Sequence, residues 1–375
     1  MDFEFTEEQR LLRESLDRLL GDSYEFAQRK AYMAEPEGFS RAMWAQYAAL
    51  GLLGLPFAEE YGGFGGGGIE TMVVMEALGR VIALEPYLAT VVLAGTALKL
   101  AGSASQQETL IPQVADGSLR LALAHGERQA RYDLTDVVTT ATKTGSGWRL
   151  DGAKSVVMHG DSAARLIVSA RVSGERHDPD GIGLFLVDPN SSGVARRGYP
   201  MRDGTHAADI ALSGVEADAL GEPGHGLAVI ERVYQAGIAA TSAEAVGAME
   251  TMLNMTVEYL KTRVQFGRPI GDNQALQHRA TEMMIAMEQG RSLAMLAAVM
   301  IDDENAAQRD HDLSTAKVGV GQAARFVSQN AVQLHGGIGM TDEYAVGHYF
   351  RRCMVIEHSF GDNGYHLSKL AASIA

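Results

Sequence analysis

The sequence predicts an α+β protein in three consecutive parts: a helical N-terminal domain over residues 1–118, a middle antiparallel β-domain over 119–224, and a C-terminal four-helix bundle over 225–375. Two changes of pattern carry this. Near residue 119 the helical spacing of apolar residues gives way to short alternating or β-branched runs. From Gly226 the helical period returns in segments long enough for a bundle.

In the first part, Thr6-Glu7-Glu8-Gln9 has the form of a capping box, with Leu11, Leu12, Leu16, Leu19 and Leu20 at helical spacing behind it. Ser40 is placed to cap a second helix to about Leu50, stopped by Gly51 and Gly54. The run Gly62-Gly63-Phe64-Gly65-Gly66-Gly67-Gly68 reads as loop, and helices are expected at 69–82, 85–101 and 104–115. Strands are expected at 137–142, 148–150, 154–158, 166–170, 182–187 and 207–212. Gly145-Ser146-Gly147, Asp151-Gly152 and Asp180-Gly181 supply turns between them, as in a small sandwich or barrel. Long helices follow near 226–261, 274–302, 310–335 and 343–357.

Composition bounds the function. Of 375 residues, 46% are hydrophobic and 21% charged, ordinary values for a globular protein. The net charge of −15 opposes nucleic-acid binding, which needs a basic surface. Cys353 is the only cysteine, so neither an intrachain disulfide nor a cysteine metal site is expected. The acidic start Met1-Asp2-Phe3-Glu4 and the lack of any apolar run near the ~20 residues of a membrane span predict a cytoplasmic protein without a membrane partner.

Three motifs in order give a specific resemblance. Leu50-Gly51-Leu52-Leu53-Gly54-Leu55-Pro56 with Glu59-Glu60-Tyr61-Gly62-Gly63 resembles the N-terminal signature of the acyl-CoA dehydrogenase family. Arg263-Val264-Gln265-Phe266-Gly267-Arg268-Pro269-Ile270 with Asn273-Gln274-Ala275-Leu276-Gln277 is similar to its third-domain motif, and Gln333-Leu334-His335-Gly336-Gly337-Ile338-Gly339-Met340-Thr341 to its C-terminal one. Tyr24-Glu25-Phe26, Arg29-Lys30 and Gly347-His348-Tyr349-Phe350 look most similar to the small subunit of pimeloyl-CoA dehydrogenases. The resemblance implies FAD as cofactor and an acyl-CoA substrate, with a medium-length or dicarboxylic acyl group. It further implies an oligomer and an electron-transfer flavoprotein-like acceptor.

The resemblance assigns Arg263, Gln265, Phe266, Gln274, Gln333, Gly336 and Gly337 to the ADP half of a flavin whose ring lies on a neighbouring subunit. The chemistry suits that role. A guanidinium stays charged at any working pH, and glycine backbone can approach a phosphate closely. Gly126, Tyr132, Val156 and Met158 stand where the family meets the flavin ring. An anionic coenzyme A needs cations, and Arg128, Arg131, Arg196, Arg197, Arg351 and Arg352 are available.

Departures are as specific as the matches. The family's catalytic base is a Glu before Gly-Thr, or a Glu early in the helix after the β-domain. Here those positions hold Phe360 and Gly237. The ring loop's Thr-Glu-Pro reads Gly126-Glu127-Arg128, and the family's Trp-Ile-Thr reads Val156-Val157-Met158. Two functions follow. The chain is either a companion subunit whose ADP-binding face serves a paralogous partner's flavin, or a self-sufficient enzyme with a displaced base at Asp362, Glu244, Glu231 or Glu127. A non-redox scaffold subunit is the third class.

Overall fold

The computed structural model describes residues 5–145 and 147–374. The acidic start Met1-Asp2-Phe3-Glu4 and Ser146 of the predicted turn lie outside the described residues.

Helix α1 (Glu7–Ser23) forms the predicted capping box: Gln9 N–H donates to Thr6 Oγ1 at 3.2 Å, and Thr6 N–H to Gln9 Oε1 at 3.0 Å. Leu16 and Leu20 face the core. A short α2 (Phe26–Met33) escaped prediction, because eight residues carry too few apolar positions to show a period. Ser40 caps α3 (Arg41–Ala49), accepting from Met43 N–H. After α4 (Gly68–Val81), the expected helix over 85–101 divides. Leu88–Ala94 is π-helical, followed by α5 (Gly95–Ala101) and then α6 (Ala104–Ala115).

The β-domain contains β1 (Leu121–Ala124), β2 (Thr140–Thr144), β3 (Gly147–Met158), β4 (Arg165–Arg171), β5 (Ile182–Val187), β6 (Val194–Pro200) and β7 (His206–Leu220). The strand order is β1-β4-β2-β3-β7-β5, with β6 on β7; β5 also pairs β4, so the sheet closes on itself. The sheet is mixed rather than purely antiparallel, since β4 runs parallel to both β1 and β2. Asp151-Gly152 is not a turn. Gly152 takes φ 151° at a bulge within continuous β3, where a Cβ would lie 2.6 Å from Thr139 Oγ1. The exposed edge strand β6 was hidden by its polar sequence.

The C-terminal helices are α7 (Leu227–Thr262), α8 (Gln274–Met300), α9 (Ala306–His335), α10 (Val346–His358) and α11 (Asn363–Ile374). By contact the chain divides into two compact units. One comprises the chain up to Lys30, Gly67–Ala83 and everything from Ile238; the other comprises Ala31–Gly66 and Leu84–Gly237. In the first unit α4 crosses α7 closely. A Cβ on Gly79 would lie 2.1 Å from the Glu244 carbonyl oxygen, and one on Gly247 2.0 Å from that of Glu76. The core there is Ala- and Met-rich, with Ala245, Ala248, Met249, Met252, Met283 and Met287. Small residues permit the approach, and the thioethers fill what remains. Among the described residues no helix is long and apolar enough to cross a membrane.

Candidate functional site

In the first unit the predicted ADP-binding residues gather at one end of the bundle. Tyr259, in the last turn of α7, stacks on His335, the last residue of α9, with ring centroids 4.5 Å apart. Arg263 follows Tyr259 by one turn, and Gly336-Gly337 follow His335 directly, so the stack fixes both segments side by side. Arg279 Nη1 donates to Asn330 Oδ1 at 2.6 Å, which ties α8, begun at Gln274, to the same end of α9. Arg263, Gln265, Phe266, Gln274, Gln333, Gly336 and Gly337 are all exposed.

Strands β8 (Val264–Gln265) and β9 (Arg268–Pro269) form a two-residue hairpin turning at Phe266-Gly267. Phe266 has φ 53° and its side chain is fully exposed. Both turn residues take positive φ, as a type I′ turn demands, and Phe tolerates this poorly. The turn thus presents a fully exposed phenyl ring at a backbone cost. Among the described residues no carboxylate pairs with the Arg263 guanidinium. Gln265 spends its amide on the Val264 carbonyl at 2.8 Å.

The expectation for Gly336 needs revision in one respect. Its N–H already donates to the Gln333 and Val332 carbonyls as the cap of α9, so it is not free for a phosphate. Glycine is required there by φ 64°, and at both Gly336 and Gly337 a Cβ would meet nothing within 4 Å. The surface is open and the backbone bare. These residues fit an anionic dinucleotide through the Arg263 charge and close backbone approach.

The base position lies in the same unit and is tightly built. Phe360 takes φ 59° and Gly361 φ 106° between α10 and α11. His366 Nε2 donates to the Phe360 carbonyl at 3.0 Å, while its Nδ1 meets Ser314 Oγ at 3.1 Å. Buried Lys317 donates to the Ile356 carbonyl at 2.6 Å, and burial pushes its ammonium down to about 7. Asp362 caps α11 by accepting from Tyr365 N–H at 2.8 Å. Glu244 is buried, and both its oxygens are held by Arg352, at 2.6 and 2.7 Å. Both carboxylate oxygens are thereby occupied by the guanidinium.

In the second unit the loop expected to meet the flavin ring hangs on a buried pair. Lys154 Nζ donates to Glu127 Oε1 at 2.7 Å, to Ser169 Oγ at 3.0 Å and to the His125 carbonyl at 3.2 Å. Glu127 also accepts from the Val138 and Thr139 N–H groups, each at 3.0 Å. Against the upward push of burial, the Lys154 cation, the Gln129 amide and the Val138 N–H hold its carboxyl down at about 2. Glu231 is exposed on α7, and Gly237 is buried.

Lys154 and Val157 both stay in the core, and the register of β3 against β7 shifts between them. The extra residue is extruded. Val156 takes φ 55° with its side chain outward, an outlier for a β-branched residue. Its N–H donates to Asp209 Oδ1 at 3.3 Å, and Ser155 N–H donates to the Gly126 carbonyl at 2.8 Å. Met158 and Tyr132 are half-buried. The side chains of Val156 and Met158 bring no polar group to this edge.

Of the six arginines set aside for coenzyme A, four are engaged. Arg196 donates to the Gly160, Asp161 and Ala163 carbonyls, and Arg197 pairs with Asp209. Arg351 pairs with Asp342, and Arg352 with Glu244. Arg128 and Arg131 remain exposed on the ring loop.

Models of the acyl-CoA dehydrogenase N-terminal, middle and C-terminal domains match residues 6–118, 122–216 and 224–375. The chain belongs to the acyl-CoA dehydrogenase family. Members are FAD-dependent oxidoreductases acting on CH–CH bonds, and their three-part α, β, α fold is the one described above. Acyl-CoA dehydrogenase FadE27 of Mycobacterium tuberculosis is 30% identical over 344 residues, covering 90% of this chain and 89% of that one. A variant of the Tcur3481–Tcur3483 steroid ACAD superposes with TM-score 0.88 at 32% identity, covering 98% of each chain. The ChsE4–ChsE5 complex from Mycobacterium tuberculosis superposes with TM-score 0.89 at 28% identity, covering 100% of this chain and 99% of that one. The bulge at Val156 and the Glu244–Arg352 pair escaped the sequence reading, because each depends on a partner far away in the chain.

Proposed function

We propose that this chain is the companion subunit of a heteromeric acyl-CoA dehydrogenase, lending its ADP-binding face to a flavin whose ring and base belong to a paralogous partner. The observation that carries this is the Phe360 turn, where the hydrogen bonds that shape the loop are in place and the proton acceptor is missing. Two of the candidate substitutes are committed elsewhere, Glu244 to Arg352 and Asp362 to the α11 cap. Two of the similar structures are assemblies of two differently named chains, which supports the reading.

Bound FAD supplies the hydride acceptor. This chain's residues then have two tasks. Arg263 neutralises pyrophosphate charge, and the bare Gly336-Gly337 surface admits the dinucleotide. In this reading a carboxylate on the partner subunit would take the α proton of the thioester, and an electron-transfer flavoprotein-like protein would be the electron acceptor. A lone buried cysteine suits a reducing cytoplasm.

The test is Arg263→Ala in the flavin-carrying assembly. A hydrogen bond to a charged group contributes about 1.5–3 kcal/mol, so a roughly tenfold to hundredfold loss of FAD affinity is expected. Fluorescence titration reads it, and unchanged affinity would remove the ADP-binding assignment.

Assembly gives a second test. Val264, Phe266, Met284, Ile285, Ile338 and Met340 leave large apolar side chains exposed in the first unit. The chain is expected to form dimers, or tetramers built from dimers, through residues 226–375. Light scattering at micromolar concentration checks this, and a monomer mass contradicts it.

A further inference from the structure

The two segments flagged as most subfamily-like, Tyr24–Lys30 and Gly347–Phe350, touch each other in the first unit. The Phe26 ring meets the His348 ring edge-on, with centroids 4.8 Å apart. Arg29, itself buried, places Nη1 3.4 Å from His348 Nδ1 and donates through Nε to the Ile82 carbonyl at 2.7 Å. On the other side, His348 Nε2 lies 3.1 Å from the Asp342 carbonyl and 3.2 Å from its carboxylate. An arginine can only donate, so Nδ1 accepts and Nε2 carries the proton. That makes a neutral imidazole bridging a buried cation and an exposed carboxylate.

The bridge ends on the candidate ADP face. Asp342 directly follows Thr341, whose N–H and hydroxyl both donate to the Ile338 carbonyl, closing the turn over Gly336–Met340. Gly347, next to His348, abuts that turn closely, since a Cβ there would lie 3.0 Å from the Gly339 carbonyl oxygen. Arg351 and Lys30 also reach Asp342, at 3.0 and 3.8 Å.

We propose that the Arg29–His348–Asp342 relay positions the Gly336–Met340 turn for the dinucleotide and releases it when His348 is protonated. His348 is a positioning residue, acting through the turn, and the inference rests on the ADP-binding reading above. A second proton would turn Nδ1 into a donor facing the Arg29 guanidinium and set an imidazolium between Arg29 and Arg351. Asp342 is the opposing charge, and it already serves Arg351 and Lys30. Burial pushes His348 below its usual value; the hydrogen bond to the Asp342 carbonyl opposes this, and the Arg351 and Arg29 charges add to the lowering. The sign follows: the neutral native form is complete above the ordinary histidine range, and its contribution is lost as the pH falls below that range.

The experiment titrates the intact assembly with FAD by fluorescence from pH 8 to pH 5, for wild type, His348→Gln, His348→Leu and Arg263→Ala. Glutamine can accept from Arg29 and donate to Asp342 without titrating. Wild type is expected to lose affinity roughly fivefold to tenfold on acidification, the scale of one hydrogen bond. His348→Gln should retain FAD with a flat profile over that step, and His348→Leu should bind weakly at every pH. Buried His335 adjoins the same turn, and the Gln variant separates its titration from that of His348. Equal pH profiles for wild type and His348→Gln, or a Gln variant as weak as Leu, would overturn the relay. Should His348→Leu not fold, the comparison of wild type with Gln still decides. If Arg263→Ala binds FAD normally, the ADP-binding reading itself fails; if only the His348 profiles disagree, the relay alone does.

Discussion

The purified chain, given excess FAD and a series of saturated acyl-CoA thioesters without oxygen, is expected to leave the flavin oxidised. The physical reason is the absence of a proton acceptor where one is needed. Removing the α proton of a thioester requires a base in reach, and general-base catalysis typically contributes about 10²–10⁴-fold. Phe360 offers a phenyl ring, Glu244 is bound through both oxygens, and Asp362 is occupied as a helix cap. Flavin reduction should appear on adding a paralogous subunit that carries Glu at one of the family's two base positions. Stopped-flow absorbance reads the outcome. The acyl series should span medium-chain, dicarboxylic and steroid thioesters, so that a poor acyl group is not mistaken for a missing base. Rapid reduction by the lone chain would favour the self-sufficient reading, and Asp362→Asn beside Glu244→Gln would then locate the base.

The largest expected effect on stability comes from Lys154→Met. Its side chain is fully buried and is the cation facing Glu127, itself almost completely buried. Removing one member of a buried pair leaves an uncompensated charge and costs about 3–5 kcal/mol. The pair crosslinks β3, the start of the ring loop and the approach to β2, so the damage should not stay local. Replacing both partners, as Lys154→Met with Glu127→Gln, should recover much of the loss. Denaturant unfolding of single and double variants measures this, and a single variant as stable as wild type would contradict the account. Acid gives the same sign. Glu127 is held at about 2 against 4.5 in the unfolded chain, so its contribution is complete above 4.5 and fades as the pH falls toward 2.

Features encoded locally are legible in the sequence. The capping box at Thr6, the cap at Ser40, the long helices of the bundle and the Arg263 and Gly336 motifs depend on neighbours a few residues away. What stayed hidden is tertiary. Glu244 and Arg352 stand 108 residues apart in sequence, and nothing near either residue announces the other. Val156 is thrown outward because Lys154 and Val157 are both claimed by the core, which becomes visible only with the register of β7. Asp151-Gly152 reads as a turn because the dipeptide favours one; a bulge uses the same freedom of glycine within a continuing strand. Gly336 was identified for its bare backbone, but the use of its N–H in the helix cap is a matter of geometry.

The companion reading is tested most directly by native mass and flavin-to-protein ratio, measured for the chain alone and for its assembly with a paralogous subunit. The chain alone is expected to form oligomers whose flavin, if any is held, is not reduced by acyl-CoA. The mixed assembly is expected to hold one reducible FAD per pair of unlike chains. A homo-oligomer of this chain carrying one FAD per subunit, reduced at once by an acyl-CoA thioester, would contradict the companion reading.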